Sequence, residues 1–280
     1  MIRIVMDGAG DMPQDWQSKY DIKIIPINIH FENKVFLQGI DMSNDEFYHL
    51  AESTGVIPKT SQPSPQQFVD FYNQIARDGD TIISLHVTSK LSGTFNSAVV
   101  AAQELKHKLN VIPFDSGSGS AALGFMCKEV RQLEQAGATI QSIINRLEDI
   151  RRNVSIVLTL ETLEYARRSG RVNALQATIA SIINIKPVII LKDGMLEMKE
   201  KVRTRHRAID RVLEIIHERV DDRLVNIAVV HSQSIDAARE LMTKVQQTFR
   251  VNEAIISDLS IGVAANLGPG TIGIAVYAVN

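Results

Sequence analysis

The stretch Thr81-Ile-Ile-Ser-Leu-His-Val-Thr-Ser-Lys-Leu-Ser-Gly-Thr-Phe-Asn-Ser-Ala-Val-Val-Ala-Ala-Gln-Glu-Leu105 changes its period half-way along. From Thr81 to Val87 it is a short apolar run rich in β-branched residues, which reads as a buried strand. From Phe95 onward the apolar positions are Phe95, Ala98, Val99, Ala102 and Leu105, the spacing of one helix face. A second apolar run, Asn110–Phe114, follows at once. Strand, helix and strand in close succession describe a crossover unit of an α/β protein.

The same alternation extends along the chain in both directions. Further strands are expected at Ile2–Met6, Ile22–Phe31, Val154–Leu160, Pro187–Leu191, Leu224–Val230 and Ala254–Leu259, and from Ile272 to Val279. Helical spacing recurs at Ile140, Ile143, Ile144 and Leu147, at Ile209, Val212, Leu213, Ile216 and Val220, and at Ala238, Leu241, Met242 and Val245. At 280 residues the chain is long enough for two domains. A boundary near Asn153 is expected, dividing 1–153 from 154–280, because a charged helix end, Asp149-Ile150-Arg151-Arg152-Asn153, precedes a new strand.

Composition narrows the function. Hydrophobic residues at 45% and charged residues at 22% are an ordinary globular balance, and a net charge of −2 argues against a nucleic-acid binder. One cysteine, Cys127, excludes an intrachain disulfide framework and a Cys-rich metal site. The opening Met1-Ile2-Arg3-Ile4-Val5-Met6-Asp7-Gly8 reads as a strand entering a turn rather than a secretory signal, so a soluble cytoplasmic protein is expected. The charge-free run from Leu259 to Asn280 has the length of a membrane span, but Asn266-Leu267-Gly268-Pro269-Gly270 interrupts it. A buried loop feeding a buried terminal strand is expected there instead.

Chemistry in open α/β sheets gathers at the carboxyl ends of strands. Three such junctions stand out. Ser89-Lys90-Leu91-Ser92-Gly93-Thr94 opens a helix, where exposed N–H groups and the Ser92 and Thr94 hydroxyls form a cradle for a carboxylate or other anion. Ser92 or Thr94 acting only as a helix cap is the plainer account of the same residues. Asp115-Ser116-Gly117-Ser118-Gly119-Ser120 enters a helix of small residues, Ala121, Ala122 and Gly124. It fits neither a nucleophile elbow nor a P-loop. Asp7-Gly8-Ala9-Gly10-Asp11 carries two carboxylates in a tight turn, where Asp ordinarily bonds its own backbone. A hydroxyl-rich segment, Thr60-Ser61-Gln62-Pro63-Ser64-Pro65, precedes a helix with Pro65 at its first turn.

No catalytic set emerges. The seven histidines show no ligand spacing, and Cys127 lies among Phe125, Met126 and Val130 as a core residue would. Two basic clusters remain, Arg167-Arg168-Ser169-Gly170-Arg171 and the run holding Lys201, Arg203, Arg205 and Arg207. In an extended stretch Val202 and Arg203 face opposite ways, so one arginine of the second cluster can reach an interior anion while its neighbours face water.

Taken in order, these landmarks resemble the DegV family, whose members include the fatty-acid-binding subunits of bacterial fatty-acid kinases. The matching pieces are Thr60-Ser61-Gln62-Pro63-Ser64-Pro65, Ser89-x-Leu91-Ser92-Gly93-Thr94-Phe95-Asn96-Ser97-Ala98, Phe114-Asp115-Ser116, Leu163-Glu164-Tyr165-x-x-x-Ser169-Gly170-Arg171, Lys201-Val202-Arg203-Thr204 and Gly268-Pro269-Gly270. The resemblance implies two α/β domains, the first with a largely parallel sheet flanked by helices and the second with a mixed sheet and helices. It implies a long-chain fatty acid such as palmitate or oleate held between them, with its tail in an apolar tunnel. Thr60 and Ser92 would bond the carboxylate and Arg203 would lie near it. Ser61, Gly93, Thr94 and Asn266 complete the expected ligand site. Arg167, Arg168 and Arg171 would form the docking face for a kinase catalytic subunit, which performs the phosphorylation, so this chain is expected to need no cofactor or metal and to catalyse nothing itself. A transient contact with a membrane surface is compatible with that role.

Two positions depart from the family pattern. Asn266 stands where the family commonly has His before x-Gly-Pro-Gly, and Gly8 stands where Ser usually follows the first Asp. An amide donates a hydrogen bond but never carries a charge, and charge-assisted bonds are roughly twice as strong. A weaker head-group site is therefore expected. The contrasting reading is a small-molecule phosphotransferase or hydrolase using the Asp7/Asp11 turn and the Ser92 loop. A third is a regulatory or scaffolding protein with an incidental lipid pocket.

Overall fold

The computed structural model describes residues 1–173 and 185–279. They fall into two compact units, Met1–Arg152 with Ser260–Gly262, and Asn153–Leu259 with Val263–Asn280.

The first unit begins with β1 (Ile2–Asp7), α1 (Gln14–Lys19), β2 (Ile22–Ile25), β3 (Asn28–Phe31), β4 (Lys34–Leu37), α2 (Asn44–Thr54) and β5 (Lys59–Ser61). It continues with α3 (Pro65–Ile75), β6 (Thr81–His86), α4 (Thr94–Leu105), β7 (Asn110–Asp115), α5 (Ala121–Gln135) and α6 (Ile140–Asn153). Strands β2-β1-β6-β7, in that order, form a wholly parallel sheet. Both faces are covered, which is why its strands read as continuous apolar runs. Val5 and Ile82 pack with Phe68, Val69 and Tyr72 of α3 and with Ala98, Ala101 and Leu105 of α4. On the other face α5 lies against β1, and its Phe125 meets Trp16 of α1 edge to face at 5.6 Å.

Ile22–Phe31 is two strands rather than the single strand expected. Pro26 has no N–H to give a ladder, so the chain leaves the parallel sheet after Ile25. Beyond it, β3 is the centre of a separate antiparallel sheet, ordered β4-β3-β5. The outer strands β4 and β5 are only four and three residues long, too short a run to read as strands, and Lys34, Val35 and Lys59 on them are exposed. The Pro65 expectation holds. Ser64 accepts from the Gln67 N–H and the Gln67 side chain bonds back to Ser64, a capping box with Pro at the first helical turn.

The second unit contains β8 (Ser155–Thr159), α7 (Glu164–Ser169), β9 (Val172–Asn173), β10 (Lys186–Lys192), β11 (Met195–Val202), α8 (Arg205–Val220) and β12 (Leu224–His231). It ends with α9 (Ile235–Thr248), β13 (Arg250–Asp258), α10 (Ile261–Leu267) and β14 (Ile272–Ala278). The strands form one mixed sheet, ordered β13-β12-β14-β8-β10-β11-β9. Val212, Ile215 and Ile216 of α8 and Leu241 and Val245 of α9 pack with Val157, Val188, Val229 and Ile274 of the sheet. The charge-free run after Leu259 is not the plain loop expected. Residues 261–267 are a short helix, and the loop proper is Gly268-Pro269-Gly270. No described helix is long and apolar enough to cross a membrane.

The small residues opening α5 are there for close packing. A Cβ at Gly124 would collide with the Asp11 carbonyl oxygen and come 2.9 Å from the Met12 Cβ. Backbone cannot swing aside as a side chain can. Gly124→Ala should therefore destabilise the chain by about 1–3 kcal/mol, read as a lowered urea midpoint.

Candidate functional site

In the parallel sheet the chain leaves β1 toward β2 on one side and leaves β6 toward β7 on the other. The order reverses between β1 and β6, and the crevice beyond their carboxyl ends is the place where such sheets bind ligands. The residues there are Asp7-Gly8-Ala9-Gly10-Asp11 after β1 and Val87–Thr94 after β6.

Asp7 is fully buried. Its Oδ1 accepts from the Ala9 N–H at 2.9 Å and its Oδ2 from the Val87 N–H at 2.9 Å, with the His86 Nδ1 at 3.3 Å. A carboxylate cannot donate, so His86 presents N–H to Asp7 through Nδ1 and keeps its ring edge on to Phe68 at 5.3 Å. Asp11 is equally committed: Oδ1 accepts from the Ser260 N–H at 2.7 Å and Oδ2 from the Ser120 hydroxyl. The Asp pair is thus a brace built mainly of backbone hydrogen bonds. Among the described residues no cluster of His, Cys, Asp and Glu could hold a metal ion. Burial, reinforced by the charge of Asp7, pushes the Cys127 thiol well above its usual range, which leaves a protonated core side chain rather than a nucleophile.

The loop after β6 is held from two sides. Thr88 accepts from the Leu91 and Ser92 N–H groups at 3.1 and 3.2 Å, while the Asp115 carboxylate accepts from the Ser89 N–H at 3.2 Å. Gly93 is the residue flanking α4, and no side chain caps the helix from that position. Instead the Ser92 Oγ lies 2.8 Å from the Thr94 Oγ1 and accepts from the Thr94 N–H at 3.3 Å. Thr94 is buried and Ser92 half-buried. The two hydroxyls therefore form a single polar spot at the helix N-terminus, where the backbone carries partial positive charge.

The second hydroxyl segment meets this spot. A Cβ at Gly93 would collide with the Gln62 side-chain amide, so the loop after β6 and the end of β5 touch there. Thr60 lies opposite the buried Ile29 in the β3–β5 ladder and shares its face. Ser61 points the other way, with its Oγ 2.7 Å from the His30 Nε2. Adjacent strand residues cannot both face one ligand. Thr60 and Ser61, paired in the sequence reading, are separated by the pleat.

In the second unit the comparable construction is the Gly-Pro-Gly loop. Gly268 and Gly270 both adopt positive φ, +86° and +76°, and a Cβ at Gly268 would lie 2.8 Å from the Tyr165 ring. Only glycine fits either position. Arg205 Nη1 donates to the Gly270 carbonyl and to Glu161 Oε2, both at 2.7 Å, and Lys186 pairs with Glu161 as well. Burial raises the Glu161 carboxyl, but the bonds and charges of Lys186 and Arg205 outweigh it and hold it below its ordinary value.

The whole chain, residues 1–279, matches the DegV family of uncharacterised proteins. This chain belongs to the DegV family. A DegV domain-containing protein of Streptomyces coelicolor is 31% identical over 277 residues, 98% of each chain. Protein DegV of Bacillus subtilis is 29% identical over 275 residues, again 98% of each. Among solved structures, a DegV family protein from Thermus thermophilus, described as fatty-acid-binding, aligns with a TM-score of 0.89 at 28% identity over 99% of both chains. The Bacillus subtilis DegV structure, described as a fatty acid binding protein, aligns with a TM-score of 0.86 at 26% identity over 99% of both chains. The two α/β units, one with a parallel sheet and one with a mixed sheet, are the DegV architecture.

Within this DegV chain the expected site residues fall in both units. Thr60, Ser61, Ser92, Gly93 and Thr94 belong to the first. Arg203 and Asn266 belong to the second, as do Arg167, Arg168 and Arg171. Arg203 is exposed at the bend after β11, while Val202 beside it packs into the core. The arginine that turns inward is Arg205, whose place at the start of α8 is not marked by any sequence period. Asn266 is half-buried on α10, and its carbonyl accepts from the Ser169 hydroxyl at 3.3 Å. Arg167, Arg168 and Arg171 are all exposed; Arg168 pairs with Glu164 at 2.9 Å and Arg171 donates to the Ser169 carbonyl at 2.6 Å.

The structure adds one titrating group at the end of β12. Burial lowers the His231 pKa below its ordinary 6.5, more than the Asp258 carboxylate 3.4 Å away raises it. The folded state therefore favours neutral His231, and its stabilisation is complete above pH 6.5 and is lost as pH falls below that value toward the depressed one. The denaturant midpoint should drop between pH 7 and 5, and His231→Gln should flatten that part of the profile.

Proposed function

We propose that this DegV protein is a cytoplasmic carrier that binds one long-chain fatty acid, such as palmitate or oleate, and catalyses no step itself. The observation that carries this reading is the meeting of two hydroxyl-bearing segments, Ser92–Thr94 and Thr60–Gln62, at the switch point of the first unit. DegV structures described as fatty-acid-binding align with the chain over almost its full length. In this reading Thr60 and Ser92 bond the carboxylate, Gly93 and Thr94 shape its seat, and Ser61 holds the strand end through His30. The tail lies in an apolar tunnel, loaded by a transient contact with a membrane surface.

Energetics favour retention through the tail. Each buried CH₂ contributes about 0.8 kcal/mol, so about 14 methylenes gain on the order of 11 kcal/mol gross. Association and ordering remove several kcal/mol of that. Micromolar or tighter binding follows even with a neutral head-group site. The carboxylate contacts then set orientation and the preference for acid over ester. Presentation to a fatty-acid kinase extends the proposal, with Arg167, Arg168 and Arg171 as the docking face.

Both Asp7 and Asp11 spend their oxygens on protein donors, which counts against the phosphotransferase or hydrolase reading. Native mass spectrometry of the purified chain tests the carrier directly: one fatty acid per chain, released by solvent extraction, is the expected result. An empty chain that takes up no added palmitate or oleate overturns it. Ser92→Ala and Thr60→Val should each weaken binding of the free acid more than of its methyl ester. Equal losses for both ligands would remove these hydroxyls from the head-group site.

A further inference from the structure

The small antiparallel sheet covers the switch point with two glutamines. Leu37, Asn28 and Ser61 form one row across β4-β3-β5. The next residues on the outer strands are Gln38 and Gln62, at the same end of the sheet. Gln62 rests on Gly93 in the loop after β6, and Gln38 rests on Gly8 in the loop after β1. In each pair a Cβ on the glycine would collide with the glutamine amide. Two neighbouring strands of the parallel sheet are thus each topped by a carboxamide lying on a residue without a side chain.

Gln38 differs from Gln62 in one respect. Its Oε1 is buried and has no hydrogen-bond partner, whereas Gln62 is exposed. Its backbone is firmly held. The Gln38 N–H donates to the Ile27 carbonyl at 3.1 Å, Gly39 at φ +72° donates to the Met42 carbonyl at 2.8 Å, and the Asp41 side chain accepts from the Leu37 N–H at 2.8 Å. A rigid turn therefore lays the amide on Gly8 and leaves its buried end unanswered. Buried polar atoms are nearly always partnered, and the place of this one, over Gly8 at the end of β1, is where a ligand group can supply the partner. Rotating the amide by half a turn exchanges Oε1 for Nε2, and a carboxylate then receives an N–H donor at that point.

We propose that Gln38 is a specificity-determining residue of the head-group site, seated on Gly8 and donating its side-chain N–H to the ligand carboxylate. The assignment rests on the carrier reading above and deepens it. Gly8 makes room for the amide, and the absence of a side chain there is part of the same device. The contact is neutral, so it selects an acid by hydrogen bonding without drawing it in by charge.

The test uses the full delipidated chain, palmitate and methyl palmitate, with dissociation constants for each. The wild type is titrated first. Gln38→Glu places a negative charge beside the carboxylate and should weaken palmitate by at least about tenfold, with methyl palmitate nearly unchanged. Gln38→Leu should weaken palmitate less and in the same selective way. Gly8→Ala, which dislodges the amide, should weaken palmitate in the wild type and have no further effect in Gln38→Leu. Variants that bind palmitate as the wild type does, or lose acid and ester in parallel, overturn the role of Gln38. A wild type that binds neither ligand overturns the carrier reading and this assignment with it, and the first titration distinguishes that failure from the other.

Discussion

The carboxylate of Asp7 is the constraint on which the first unit's site depends. It is fully buried and ionisable, a combination that is costly without partners. Two backbone N–H groups and His86 Nδ1 supply them. Because one N–H comes from Ala9 and the other from Val87, a single side chain ties the end of β1 to the end of β6. The loop carrying Ser92 and Thr94 starts directly from that tie. Asp11 repeats the arrangement one step further out, joining Ser120 and Ser260 to the same turn. Two acids that resemble a catalytic pair in the sequence are the fasteners of a crevice.

Glycine shapes what the fasteners hold. Gly8 and Gly93 lie under Gln38 and Gln62, and Gly124 lets α5 approach the Asp11 backbone. None of these three needs a positive φ, so each is required by space rather than by backbone conformation. In the second unit the reasoning is different, since Gly268 and Gly270 need both the space and the left-handed backbone. Arg205 and Glu161 then fix that loop by charge and hydrogen bonds. The motifs of the DegV pattern thus stand on supports of two kinds, buried carboxylate to backbone in one unit and arginine to backbone in the other.

Much of the architecture was legible in the sequence because buried parallel strands and amphipathic helices leave strong periods. β6, α4 and β7 were read almost to the residue. The outer strands of the covering sheet were not, since β4 and β5 are only four and three residues long and partly exposed, too short to carry a period. Pro26 was visible, yet an apolar run on both sides of it concealed the move from one sheet to another. α10 was concealed too, because a run without charges bears no amphipathic stripe.

The sequence by itself determined the fold class, the DegV membership and the hydroxyl and glycine motifs, since local periods and short ordered motifs survive without any knowledge of contacts. Tertiary structure alone decided which of those residues share a face. The pleat turned Thr60 and Ser61 apart, the bend after β11 sent Arg203 outward while Arg205 turned in, and the turn after a strand too short to read laid Gln38 over Gly8. Gln38 and Gly8 are thirty positions apart in the chain. What joins them is the packing of two sheets, and no spacing in a sequence records that.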